Sequence, residues 1–169
     1  MNSGDRSQAE AVRQPPPRVL VLGLGNDLLR DDSIGLRLTQ ALSERLPDRS
    51  SITVLQSAEA GLALLDLVAG YDELIIVDAV QTSHAAPGYV HELAVGDMQL
   101  LSGGSPHFLG IAEMLALGRE LGIPVPSKAR VFAVEVEDPY TLEQALTPAL
   151  AAAFPGLVSL LEHRVLARE

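Results

Sequence analysis

The sequence predicts an α/β fold, a three-layer sandwich in which a mostly parallel twisted sheet carries helices on both faces. Two patterns predict it. From Arg18 onward, short apolar runs rich in β-branched residues alternate with longer runs of helical spacing, the signature of repeated βαβ units. Most of the short runs are too continuously apolar to leave one face in water, so they belong inside a sheet covered on both sides. A chain of 169 residues, 47% apolar and 20% charged, is long enough for one real core and too short for a second full domain.

The opening segment, MNSGDRSQAEAVRQPPP, is polar and ends in three prolines, so residues 1–17 are expected to be a disordered tail and residues 18–169 the single domain. Arg18–Gly23 reads as the first strand and Ser33–Leu46 as the helix that follows it. Ser51–Gln56 is the second strand, Ala60–Ala69 the second helix, and Glu73–Val80 the third strand. After the turn signal Ala86-Pro87-Gly88, the weaker run Gly88–Leu93 is expected to pair at an edge. His107–Gly122 is spaced as a helix and Ala129–Val136 as a strand. Thr147-Pro148 supplies an N-cap and a first-turn proline for a last helix reaching about Arg168, which Pro155 should bend or shorten. Ligands in such sheets collect at the carboxyl ends of the strands, here just after Leu22, Gln56, Val77 and Val136.

Charge and composition narrow the function. A formal net charge of −10 repels a phosphate backbone, and no Lys/Arg stripe is present to neutralise one, so nucleic acid is not expected as a partner. The absence of cysteine removes disulfides, thiolate metal sites and a cysteine nucleophile, leaving oxygen and imidazole as the metal donors. The N-terminus lacks the apolar run of a signal peptide, and no stretch reaches the ~20 apolar residues of a membrane span; a cytoplasmic protein without a membrane partner is expected.

The stretch VLVLGLGNDLLRDDSIG, Val19 to Gly35, begins like a dinucleotide-binding turn. That turn needs a third glycine, where this chain has Leu28, and Asp27, Asp31 and Asp32 crowd the place of the pyrophosphate. Carboxylates there disfavour phosphate. Asp31 and Asp32 have a plain reading as acidic residues beside Ser33 at a helix N-terminus. Because adjacent side chains diverge, one should cap while its neighbour faces the crevice. Asp78 ends the apolar run LIIVD, where burial is costly without a partner, although a turn-forming aspartate would look the same. His107 follows Ser105-Pro106 at the head of a helix, where an exposed first-turn histidine is equally ordinary. Together, Asp, Asp and His stand at three loops on one edge of the sheet, a donor set suited to nickel, zinc or another borderline divalent ion.

Other hydrolytic patterns fit worse. No G-x-S-x-G elbow serves Ser33 or Ser105, and no H-E-x-x-H offers a helical zinc site. His84, His91 and His163 read as exposed and non-catalytic.

The segments VLVLGLGNDLLRDDSIG, LIIVDAV, APG and SPHFLGIAEMLAL resemble the hydrogenase maturation protease family, endopeptidases that trim the C-terminal extension of [NiFe]-hydrogenase large subunit precursors. The most specific element is the turn G-x-G-N-x-L-x-x-D-[DE]-x-x-G, matched by Gly23, Gly25, Asn26, Leu28, Asp31, Asp32 and Gly35. The resemblance implies a phosphorylase/hydrolase-like sandwich and a metal-assisted peptide hydrolysis at Asp32, Asp78 and His107, which serve as both metal and catalytic residues. It also implies that the ion is the nickel of the precursor, read after its insertion, with zinc or cadmium able to enter the same ligands in vitro. The choice of general base stays open. Two departures stand out. Where the family often has an aspartate after the second strand, this chain has Gln56 followed by SAEAG, in which Glu59 could restore a charge. Where many members read G-I-Q-P after the last strand, this one reads AVEVED, placing Glu135 and Glu137 on one face near the crevice, the plain reading being a solvated strand end. A nickel-dependent chaperone that binds the precursor without cutting it would need the same three ligands. Peptidyl-tRNA hydrolases also open with GLGN, but carry a downstream histidine and a basic surface that this chain lacks.

Overall fold

The computed structural model describes residues 15–46, 51–101, 106–108 and 110–167. The first 14 residues of the expected tail, Ser105 and Arg168 lie outside them. The strands β1 (Val19–Leu24), β2 (Ile52–Ser57), β3 (Glu73–Val80), β4 (Val90–Ala94) and β5 (Lys128–Glu135) form one sheet in the order β2-β1-β3-β5-β4. All neighbours are parallel except β4, which runs antiparallel on the β5 edge, as expected for the weaker run.

Side-chain alternation along the buried strands makes the two cores. Val19, Val21, Ile75, Val77, Phe132 and Val134 point to the face covered by α1 (Ile34–Arg45) and α4 (Pro148–Leu166), meeting Ile34, Leu38 and Leu42 from the one and Leu157, Leu161 and Val165 from the other. The opposite set, Leu20, Leu22, Leu74, Ile76 and Val131, meets Leu64, Val68, Phe108, Ile111 and Met114 on the other face. That face is covered by the single turn α2 (Leu65–Val68) and by α3 (Ile111–Glu120). Both faces being dry explains the unbroken apolar runs. β2, at the free edge, is only half-buried.

Three elements differ from the reading of the sequence. The run Ala60–Ala69 is a 3-10 turn, Gly61–Leu64, continued by only one α turn, and the left-handed Gly70 (φ 82°) follows it. His107 does not open a continuous helix: it lies in a 3-10 turn, Pro106–Phe108, and Gly110 (φ 84°) redirects the chain into α3. Pro155 neither ends nor shortens α4, which runs unbroken through it; the proline is on the exposed side, where the missing N–H leaves no dry carbonyl stranded. By length and composition alone, the 19 residues of α4 could cross a membrane, a stretch the sequence reading did not identify. In the fold, its Leu150, Leu157, Val158, Leu161 and Val165 make a stripe against the sheet and α1.

Strand order also creates the crevice. From β1 the chain leaves over one face through α1, whereas the segment following β3 reaches α3 on the other face. Connections departing in opposite directions leave a gap between the carboxyl ends of two adjacent parallel strands. Here those strands are β1 and β3.

Candidate metal centre

Backbone packing places the first aspartates at that gap. A Cβ on Gly35 would collide with the carbonyl oxygens of Leu24 and Val77, so glycine lets the start of α1 press against the ends of β1 and β3. Gly25 adopts φ 148°, and a Cβ there would strike the carbonyl oxygen of Asp32. The turn therefore folds back on itself as no larger residue would allow. Asn26 completes it: its side-chain Oδ1 accepts the Leu28 N–H at 3.0 Å, while its own N–H donates to Asp32 Oδ2 at 2.9 Å. The glycines thus build a carboxylate cradle rather than a phosphate cradle.

The two adjacent aspartates diverge, as neighbouring side chains should. Asp31, fully buried, turns away from the crevice and accepts hydrogen bonds from the Thr147 N–H and hydroxyl and from the N–H groups of Glu137 and Asp138, at 2.8–3.2 Å. Neither aspartate caps α1 through its side chain, and Thr147, although it stands at the N-cap of α4, gives its hydroxyl to Asp31 instead of closing its own helix. Asp32 faces the crevice and is 7% exposed.

Asp78 lies within β3 on the side of Leu74, Ile76 and Val80, the α3 side of the sheet. Its Oδ1 accepts the Ala79 N–H at 2.8 Å. Its Oδ2 is buried without a hydrogen-bond partner among the described residues, with His107 Nδ1 3.4 Å away. The 3-10 turn brings His107, also largely buried, over the end of β3 from the α3 side. One donor atom each from Asp32, Asp78 and His107 lie within 4.8 Å of one another.

These charges act on one another. Burial holds the Asp32 carboxyl above the ordinary carboxylate range, His107 pulls it down, Asp78 pushes it up again and the Asn26 N–H lowers it. The Asp78 carboxylate beside it raises the His107 imidazole above its usual value; burial opposes this, and the charge of Asp32 reinforces it. Two carboxylates facing one imidazole in a nearly dry crevice stabilise a positive charge there. A buried carboxylate oxygen without a hydrogen-bond partner, beside a second carboxylate and an imidazole nitrogen, fits a borderline divalent cation, and three donors leave positions open for further ligands.

The remaining candidates stand apart from this cluster. Gln56 and Glu59 are exposed near the end of β2, and the Glu59 N–H donates to Ser57 Oγ. Glu137 is exposed, but Glu135 is 1% exposed, which corrects its reading as a solvated strand end. It accepts from the Thr82 N–H and hydroxyl and the Ser83 N–H, and pairs with His91 Nε2 at 3.0 Å. His91 is accordingly half-buried rather than exposed, whereas His84 and His163 are exposed as expected. Ser33 Oγ donates to the Arg30 carbonyl and accepts from Arg37 Nε, an arrangement with no base hydrogen-bonded to it among the described residues. On the outer side of the turn, an open cleft of about 530 Å³ is lined by Asp27, Arg37, Gln40, Glu44 and Gln56. The sequence reading missed the anchoring role of Asp31 and the Glu135 network. A signal existed for Glu135: it shares the strand parity of Val131 and Ala133, which a buried sheet turns inward.

Comparison with known proteins bears on the family and the fold. The family model described as hydrogenase maturation protease matches residues 36–164, a span that contains Asp78 and His107 and begins just after Asp32. The hydrogenase 2 maturation protease of Escherichia coli (strain K12) is 37% identical over 151 residues, covering 83% of this chain and 90% of that protein. Among solved structures, the hydrogenase maturating endopeptidase HybD from E. coli superposes with a TM-score of 0.75 at 33% identity, covering 89% of this chain and 93% of that one. The [NiFe] hydrogenase maturation protease HybD from Thermococcus kodakarensis shares the fold, with a TM-score of 0.65 at 24% identity over 86% of this chain and 97% of that one.

Proposed function

The chain belongs to the hydrogenase maturation protease family, and from that premise we propose that it removes the C-terminal extension of a [NiFe]-hydrogenase large subunit precursor after nickel insertion, with Asp32, Asp78 and His107 reading the nickel. The observation that carries this reading is the convergence of those three side chains within 4.8 Å, with Asp78 Oδ2 buried and lacking a hydrogen-bond partner among the described residues. The precursor's own ligands would fill the positions that three protein donors leave open.

Nickel enters as part of the substrate, and its chemistry is that of a Lewis acid, polarising a carbonyl or lowering the pKa of a water toward neutrality. The chain's own residues bind and orient. The Asn26 N–H fixes Asp32 Oδ2 at 2.9 Å, and the Ala79 N–H fixes Asp78 Oδ1 at 2.8 Å, so each carboxylate has one oxygen tied to backbone. The Asp78 carboxylate, with Oδ2 3.4 Å from Nδ1, favours the protonated form of His107, whose proton a cation would replace. The open cleft beside Asp27 offers the flanking peptide a place alongside α1. Zinc or cadmium would enter the same donors in vitro, and the site of action would be the cytoplasm.

Intact-mass spectrometry of a nickel-loaded precursor tests the reading. The wild-type chain should shorten the precursor by the mass of its extension, and Asp32→Ala, Asp78→Ala and His107→Ala should leave it at full length. A stable complex with no shortening would replace the protease reading with that of a nickel-dependent chaperone.

A further inference from the structure

Of the two buried carboxylates that the proposed reaction does not use, Asp31 and Glu135, Asp31 is next in the chain to a proposed ligand. It is 0% exposed, and its four hydrogen bonds all come from residues more than a hundred positions away. Thr147 donates N–H and hydroxyl at 2.8 and 2.9 Å, and the Asp138 and Glu137 N–H groups donate at 3.0 and 3.2 Å. Backbone bonds add to the seam: the Arg30 N–H donates to the Thr141 carbonyl and the Asp31 N–H to the Asp138 carbonyl. The guanidinium of Arg30 pairs with Asp138 and Glu143 on the outside. Within the seam, Asp31 and its partner Thr147 are buried, and Asp31 joins the turn after β1 to both the end of β5 and the start of α4.

We propose that Asp31 is the positioning residue of this site: by tying the turn to the N-terminus of α4, it holds the neighbouring Asp32 carboxylate where Asp78 and His107 converge. An ionised carboxylate accepts at both oxygens, which suits the three N–H groups and one hydroxyl around it. An amide would turn an NH2 group toward some of these donors. The backbone of residues 31 and 32 would then shift, and Asp32 Oδ2 would move off the Asn26 N–H that marks its place. Outer partners that orient a metal ligand commonly change ion affinity by about 10- to 100-fold when removed. The metal-affinity part of the inference rests on the proposed role of Asp32 as a ligand.

The test reads the Asn26 amide directly and needs no metal. In the isotope-labelled full chain, hydrogen exchange by NMR should be at least about tenfold faster at Asn26 in Asp31→Asn, with the β3 amides unchanged. Thr147→Val, which removes only the hydroxyl, should accelerate Asn26 by a smaller factor, and Thr147→Ser should match wild type. Cadmium titrations of the same proteins should follow the same order of affinity. If Asp31→Asn keeps the wild-type Asn26 rate, or if Asn26 and the β3 amides accelerate by one common factor, Asp31 is only a structural tie and the proposal is overturned. Should Asp31→Asn fail to fold, an unchanged Asn26 rate in Thr147→Val overturns it equally. Wild-type cadmium affinity in Asp32→Ala would refute the ligand reading instead, while the Asn26 rates would still decide the role of Asp31.

Discussion

Replacing Glu135 should cost far more stability than a residue at a strand end normally would. Its carboxylate receives the Thr82 N–H at 2.8 Å, the Thr82 hydroxyl at 2.7 Å and the Ser83 N–H at 2.9 Å from the segment that follows β3, and meets His91 Nε2 of β4 at 3.0 Å. Glu135→Ala removes every acceptor at once. Each stranded donor costs about 1–3 kcal/mol if it stays dry, but water can reach Ser83, which is exposed, and the Thr82 hydroxyl can rotate to a new partner. A net loss of about 3–5 kcal/mol results, the range for breaking a buried polar pair from one side. Glu135→Gln keeps one carbonyl oxygen for the two N–H groups, while its NH2 can face the Thr82 hydroxyl and an accepting His91, so it should cost only about 1–2 kcal/mol. Burial pushes the Glu135 carboxyl up, but the hydrogen bonds from Thr82, His91 and Ser83 outweigh it and hold the group below the ordinary range. A carboxyl depressed on folding stabilises above its unfolded pKa of about 4.3, and that stability fades as pH falls through the lower folded value. Urea unfolding followed by circular dichroism at neutral pH measures the two costs, and the gap between wild type and Glu135→Gln should close on acidification below about pH 4. A loss under about 1 kcal/mol in Glu135→Ala would refute the network as an anchor.

Alanine at Asp32, Asp78 or His107 should abolish cadmium or nickel binding by calorimetry while leaving the far-ultraviolet spectrum unchanged, because the three side chains converge on the crevice at the strand ends. Ion affinity should rise with pH through the raised pKa of His107, since the ion must displace its proton; titrations that give equal affinity on both sides of that value would contradict the ligand role. The same proton works oppositely on stability: the His107 and Asp78 pair contributes fully below the unfolded histidine value near about 6.5 and is lost as pH rises through the folded value. Gly35→Ala should destabilise by about 1–3 kcal/mol and weaken ion binding together, because its Cβ would push α1 off the ends of β1 and β3.

Apolar periodicity located β3 at Glu73–Val80 to the residue, since a strand dry on both faces leaves little room for another reading. Helix ends were harder. Gly110 sits inside a run whose spacing looks helical from His107 onward, and its left-handed backbone stands at the N-cap of α3, after the 3-10 turn. That break lets His107 lean over β3 instead of pointing along a helix. Asp32, Asp78 and His107 were legible because each is polar where the pattern calls for strand end or loop start. Asp31 and Glu135 were not assigned their roles, because their partners are distant in sequence: Thr147 for the first, Thr82 and His91 for the second. Local rules supply a cap or a solvated end for such carboxylates, and only tertiary contacts overrule them.

On the proposed reading, the ion arrives with the substrate. Three protein donors without a thiolate should exchange an ion with buffer until the precursor adds its own, so affinity for the ion and affinity for the precursor rise together by one factor. The direct measurement treats the chain with chelator, removes the chelator, and follows loss of the extension by intact mass from nickel-loaded and nickel-free precursor. The stripped chain should cleave the nickel-loaded form at full rate, and the nickel-free form should stay uncut even when zinc or nickel is supplied to the protease. Stoichiometric metal that survives chelation, together with full-rate cleavage of the nickel-free precursor, would contradict it and make Asp32, Asp78 and His107 the site of a resident catalytic ion.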